Sequence, residues 1–270
     1  MIISLQELEN LKVIDDLAVK IAADGGPTYS TSLINGQDPG GIDVGFMYIG
    51  DTVTVNNVTQ LGASEILSVN GFQLHDRPPL LMDASINMNN STLNVHVLVV
   101  HMRSRGGIDD NDNRVKIKRF EQANSIAAMI NQIQLDFPGE AVITLGDFNA
   151  FDFTDGYADV IGQITGTAVE EDNLYWQMPL FANSPLTQAV HTLMVDDQYS
   201  YVFQGSAQLL DNAILNDAAL LITNQLQFAR GQSDVNSEYS EQSSNSLRVS
   251  DHDGFVLFLS NDVIFTNGFE

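Results

Sequence analysis

The run from Leu93 to Asp147 constrains the fold more than any other part of the chain. Leu93, Val95, Val97 and Val99 alternate on one face of a strand, and His101 continues that face at the strand's end. His96 sits on the opposite face and reads as structural. Val115 to Leu135 repeats apolar residues at helical spacing, with Phe120, Ile126, Ala127, Ile130 and Ile133 inward, until Pro138-Gly139 ends it. Ala141-Val142-Ile143-Thr144 then makes a buried strand that runs into Leu145-Gly146-Asp147-Phe148-Asn149. A helix between two apolar strands is a crossover unit, which needs an α/β sheet to sit in. Asp147 and Asn149 are two residues apart, so they can point the same way at the mouth of that strand. An acid beside an amide donor suits a site that cleaves a phosphate ester. Alone, Gly-Asp-Phe-Asn reads rather as a turn.

The remaining elements are shorter. Ile2 to Leu5 is an apolar run entering Gln6-Glu7-Leu8, and Leu11 to Ala22 is a helix closed by Gly25-Gly26-Pro27. Ile42 to Tyr48 is a strand, and Val53 to Val58 alternates weakly, as an edge strand does. Asn89-Asn90 reads as a hairpin turn. Tyr199 to Phe203 and Leu209 to Leu215 read as a hairpin around Gln204-Gly205-Ser206. Residues 231–247 form a polar loop, and Ser250-Asp251-His252-Asp253 opens a last strand, Phe255 to Leu259. No internal repeat or linker divides the chain.

With 270 residues, 44% of them hydrophobic and 17% charged, the chain has ample material for a core and is not a disordered composition. It has no cysteine, so thiolate chemistry is excluded, and no apolar stretch of membrane-spanning length. The net charge of −24 argues against whole-surface attraction to nucleic acid. Six of the eleven basic residues nevertheless cluster: Arg103, Arg105, Arg114, Lys116, Lys118 and Arg119. This is either a local positive patch or a solvated helix start. His75 and His191 have no evident partner and read as structural.

Acid, amide and imidazole groups fall repeatedly at strand ends: Glu7, His101, Asp147 with Asn149, Asp211, and Asp251 with His252. Phosphodiester cleavage needs a hard cation held by carboxylates, a base such as a carboxylate-oriented imidazole, and donors for the transition-state charge. These groups supply all three.

Eight stretches, in order, resemble the endonuclease/exonuclease/phosphatase superfamily, which includes DNase I, and its secreted bacterial members in particular. They are Leu5–Asn10, Gly41–Phe46, Asp76–Leu80, Val100–Ser104, Gly146–Phe151, Tyr199–Phe203, Leu210–Leu215 and Ser250–Asp253. The resemblance implies an α/β four-layer sandwich, two mixed β-sheets packed face to face with helices outside. It implies a domain over residues 1–260 that lacks the family's first strand, followed by a tail over 261–270. Without that central strand a sheet edge would stand open and one ligand would be gone. It implies a Mg²⁺-dependent phosphodiesterase, a secreted nuclease of low sequence specificity, acting outside the cytoplasm or in the periplasm. Phosphatase, sphingomyelinase-like lipid phosphodiesterase and inactive binding module are the alternatives. Nucleic acid or another phosphodiester is the implied substrate. By resemblance Glu7 and Asp251 hold the metal, Mg²⁺ or Mn²⁺, with Ca²⁺ a third option. His252 is the general base or the histidine on the attacked phosphate, and Asp211 orients it. Asp147 handles the nucleophile or leaving-group proton, Asn149 holds a phosphate oxygen, and His101 contacts the phosphate as acid or donor. Arg77, Arg103 and Arg105 are implied substrate contacts. Where many members have Leu-Asp-His, this chain has Leu210-Asp211-Asn212.

Overall fold

The computed structural model describes residues 1–88, 91–240 and 247–260. The Asn89-Asn90 turn and the tail over 261–270 lie outside them. The crossover unit forms the centre. Strand β6 (Ser91–His101) runs parallel to β7 (Ala141–Asp147), joined by helix α2 (Arg114–Asp136). The chain before it comprises β1 (Ile2–Leu8), α1 (Leu11–Ala23), β2 (Ser30–Leu33), β3 (Asp43–Tyr48), β4 (Val53–Gln60) and β5 (Leu80–Met88). After it come α3 (Val160–Thr165), β8 (Thr187–Gln188), β9 (Tyr201–Phe203), β10 (Ser206–Gln208), β11 (Asp211–Leu215), α4 (Asp217–Ile222), β12 (Thr223–Phe228) and β13 (Phe255–Leu259).

Six strands make the large mixed sheet, in the order β4-β5-β6-β7-β11-β8, with β4 at an edge as its weak alternation foretold. One face carries Val95, Val97 and Val99 of β6 and packs on Val44 and Phe46 of β3 and on Leu226 and Phe228 of β12. The other carries Leu98 and Val100 and packs on Ile126, Ile130 and Ile133 of α2 and Ile161 and Ile164 of α3. Helix α1 covers the far side of β3 through Ile14 and Ala18 against Met47. The result is a four-layer sandwich. Its consecutive buried positions, Val95 to Val100, are what two covered faces demand.

The smaller strand layer is in two antiparallel pieces, β1-β3-β2 and β12-β13. Among the described strands, β1 pairs only with β3, and β13 only with β12. An apolar trench of about 690 Å³ separates them, lined by Ile3 and Leu5, by Phe255 and Leu257, and by Val97 and Leu145 of the large sheet. It leads to Gly146 and Asp211 at the sheet's mouth.

One expected hairpin is different. Strand β9 pairs with β10, while β11 leaves it and inserts between β7 and β8. The near-continuous burial of β11 decides this: Ala213, Ile214 and Leu215 need a covered sheet, which a two-stranded hairpin cannot give. Strand β12 was not foreseen, because Thr-Asn-Gln-Leu-Gln-Phe shows little apolar pattern. No helix among the described residues is long and apolar enough to cross a membrane.

Candidate active site

The carboxyl end of the β6–β7 pair and the start of β11 meet at one rim. Register places His101 opposite Asp147, and Asp147 opposite Asp211. The close approach there requires glycine at 146: its φ is +133°, and a Cβ would collide with the Val100 carbonyl oxygen. Asn149, with φ +50°, turns the chain back in the left-handed region that asparagine tolerates. Its backbone N–H and side-chain amide donate to Asp147 at 2.7 and 2.6 Å, and the amide also donates to the Met102 carbonyl at 3.2 Å. Both amide hydrogens are therefore engaged, so Asn149 positions Asp147 here.

His252 Nδ1 lies 2.6 Å from Asp211 Oδ2. Its Nε2 makes no hydrogen bond among the described residues, and about a quarter of the side chain (26%) is open to water. Donor atoms of Asp147, Asp211 and His252 all lie within 4.8 Å of one another. Burial lowers the His252 pKa, but the Asp211 hydrogen bond and the charges of Asp211, Asp147 and Asp251 outweigh it and raise it to about 9. Asp147 is pushed well above the carboxylate range, by burial first and by Asp211 second. His101 Nε2 lies 3.4 Å from Asp147, and its Nδ1 is buried without a partner. Burial, then the Arg77 charge, pull its pKa down to about 3, so the ring is neutral.

Two buried carboxylates that repel each other, with an imidazole beside them, are a donor set that a hard divalent cation fits. Glu7 and Asp251 do not join this set. Glu7 is exposed on an irregularity of β1, with φ +59°. Asp251 is exposed beside His252, while the other flanking acid, Asp253, is fully buried. Asp253 accepts from Gln232 N, Ser233 N, Ser233 Oγ and Arg230 Nη1, and so anchors the loop that carries His252.

The basic cluster divides. Arg119 is buried: it donates to the Arg103 and Asn149 carbonyls at 2.7 Å and faces Asp155. Lys118 is buried on Gln73 O and Asp76. Arg77 clasps the carbonyls of His101 and Met102 and pairs with Asp38 at 3.0 Å, so its guanidinium braces the end of β6. Arg105 stacks over Phe151, and Arg103 lines a cleft with Arg77 and Arg114. His75 is buried on Ser125, and His191 is exposed near Asp152.

Two residues were not singled out from sequence. The Tyr201 ring lies 4.7 Å from that of His252. Ser200 is fully buried, and its Oγ accepts from the N–H groups of Leu210 and Asp211 at 3.1 and 3.0 Å. Its carbonyl accepts from Asp253 N at 2.7 Å, so one serine ties Asp211 to the His252 loop. The only signal for it was a small polar residue between Tyr199 and Tyr201.

A family model described as Endonuclease/Exonuclease/phosphatase family matches residues 1–246. No curated protein matches the chain. Among solved structures, a mannosyl-6-phosphatase from Bacteroides thetaiotaomicron superimposes with a TM-score of 0.58 at 11% identity, covering 96% of this chain and 85% of that one. The human Nocturnin catalytic domain with bound sulfate anion gives 0.57 at 14%, covering 95% and 80%. D. rerio TDP2 complexed with single strand DNA product gives 0.52 at 14%, covering 95% and 84%. These likenesses concern the fold. With the family model spanning all but the last part of the chain, the protein belongs to the endonuclease/exonuclease/phosphatase family.

Proposed function

We propose that this protein is a divalent-metal-dependent phosphodiester hydrolase, a nuclease of low sequence preference. The observation that carries the reading is the His252–Asp211 contact at 2.6 Å, with the imidazole's other nitrogen free beside the buried carboxyl of Asp147.

Asp211 fixes the ring and favours its charged form, so His252 presents a cationic N–H to a phosphate oxygen. Asp147, raised above the carboxylate range, exchanges a proton closer to neutral pH than an ordinary carboxylate does. It is the group that handles the proton of the nucleophile or leaving group. Asn149 holds that carboxyl in place through two hydrogen bonds, and the neutral His101 ring lies beside it at 3.4 Å. A bound Mg²⁺ or Mn²⁺ supplies neutralisation of the phosphate charge. Asp147 and Asp211 would hold it through carboxylate oxygens, and the family resemblance adds Glu7 and Asp251, which lie outside that group, as further candidates. Contact to phosphate without base readout gives low sequence preference. The acidic, cysteine-free composition supports action outside the cytoplasm.

The fold shared with a mannosyl-6-phosphatase supports a second reading, a small phosphate ester as substrate. Nicking of supercoiled plasmid DNA with Mg²⁺, abolished by EDTA and by His252→Ala, is the expected result. No nicking together with turnover of p-nitrophenyl phosphate would transfer the proposal to the small ester.

A further inference from the structure

Beside the rim lies a second cavity of about 670 Å³, lined from the 37–42 loop, the segment before Arg77, and the first turns of α2. Four cations line it: Arg77, Arg103, Arg114 and Lys118. Two acids, Asp38 and Asp76, line it as well, but each is already held, Asp38 by Arg77 at 3.0 Å and Asp76 by Lys118 at 2.7 Å. Arg103 has no carboxylate partner among the described residues; its Nη2 donates to the Gly106 carbonyl, and its Nε is buried without a partner. Arg114 has only Asp112, at 3.9 Å, a long contact to a largely exposed carboxylate and so of little energetic weight. The lining thus holds four cations against two acids in a strongly acidic chain, and the Arg114 charge repels that of Arg103. Phe72 lines the same cavity and is 72% exposed, a large apolar ring left facing water. Cationic forks next to an exposed aromatic face match a phosphate joined to a planar base. The cleft adjoins the catalytic rim, because Arg77, which lines it, also holds the carbonyls of His101 and Met102.

We propose that this cleft is a subsite for the neighbouring nucleotide of a polynucleotide substrate, its phosphate on Arg103 and Arg114 and its base against Phe72. The proposal rests on the phosphodiester reading above and narrows it to substrates longer than a single phosphoester.

The test compares a thymidine trinucleotide with bis(p-nitrophenyl) phosphate, which is too short to fill both places, in the wild type and in Arg114→Gln and Phe72→Ala. Each substitution should raise KM for the trinucleotide about tenfold more than KM for the small diester. Arg114→Gln should also flatten the slope of log KM against log salt by about 0.7 on the trinucleotide. Equal changes on both substrates, or none, overturn the subsite while leaving the phosphodiester reading intact. If the wild type cleaves neither substrate, the phosphodiester reading fails, and the subsite is then judged by binding alone. Anisotropy of a fluorescein-labelled trinucleotide in EDTA should show about tenfold weaker Kd for both variants; unchanged Kd overturns it.

Discussion

The two ends of the β6–β7 pair each hold a histidine against carboxylates, and they could hardly be used more differently. At one end His96 has Nδ1 on Asp83 at 2.8 Å and Nε2 on Glu140 at 2.7 Å, with Phe137 stacked 3.9 Å over its ring. At the other, His252 has Nδ1 on Asp211, an unengaged Nε2, and a second buried carboxyl alongside. Both are short histidine–carboxylate contacts. The first closes: both ring nitrogens are satisfied within the protein, which is what a structural site needs. The second stays open: one nitrogen and one carboxyl have capacity left over. On the proposed function, what separates chemistry from structure here is unused hydrogen-bonding capacity, since the residue types are the same.

The largest test of that difference swaps out each ring. His252→Ala should lower phosphodiester turnover by roughly 10²–10⁴-fold with little change in melting temperature. His96→Ala should keep turnover within about twofold and cost about 2 kcal/mol of stability, because it strands Asp83 and Glu140. Steady-state kinetics beside thermal melting reads both. A large loss of turnover in His96→Ala at a temperature where it is folded would break the comparison.

The open end also depends on backbone proximity. Gly146→Ala should destabilise by about 3 kcal/mol or more, because the added Cβ meets the Val100 carbonyl oxygen at a φ that alanine resists. Urea denaturation measures it, and a change below about 1 kcal/mol would show that β6 and β7 can separate at the site.

His75 offers a third kind of histidine, closed off by burial with a serine as its hydrogen-bond partner. Burial, then the Lys118 charge, lower its pKa from 6.5 to about 4. The folded state therefore binds fewer protons than the unfolded chain between those values. Its contribution is fully present above pH 6.5 and is lost as the pH falls towards about 4. The whole contribution is about 3 kcal/mol. Urea unfolding from pH 7 to 4 should fall more steeply in the wild type than in His75→Gln. Parallel pH dependences in the two proteins would contradict it.

The sequence carried the crossover unit, since its apolar spacing is long and regular, and it carried the strand ends where His101, Asp147, Asp211 and His252 sit. What it missed lay in contacts between distant segments. That β11 joins β7 rather than β9 depends on which sheet has room for Ala213, Ile214 and Leu215. That Asn149 spends both amide hydrogens on Asp147 and Met102 depends on a backbone turn that composition does not show. The basic cluster read as either one patch or a solvated helix start, because its members are adjacent in sequence. The helix sorts them by face, burying Lys118 and Arg119 and leaving Arg114 half-buried at the cleft.

The aromatic partners give the finest version of the comparison. Phe137 lies 3.9 Å from His96 in a stacked arrangement, and Tyr201 lies 4.7 Å from His252 and is tilted. If the closed end is structural, Phe137→Leu should cost about 1 kcal/mol of stability, the scale of one aromatic contact, and nothing in turnover. If the open end is chemical, Tyr201→Leu should cost little stability, because the ring is half-exposed, yet lower turnover several-fold by letting the imidazole wander from Asp211. Ring-proton NMR of His252 reports the cause directly: its chemical shift should move towards that of an unstacked imidazole in Tyr201→Leu and not in Phe137→Leu. A stability loss without a turnover loss in Tyr201→Leu would mean that the Tyr201 ring serves packing alone, and that Asp211 suffices to aim His252.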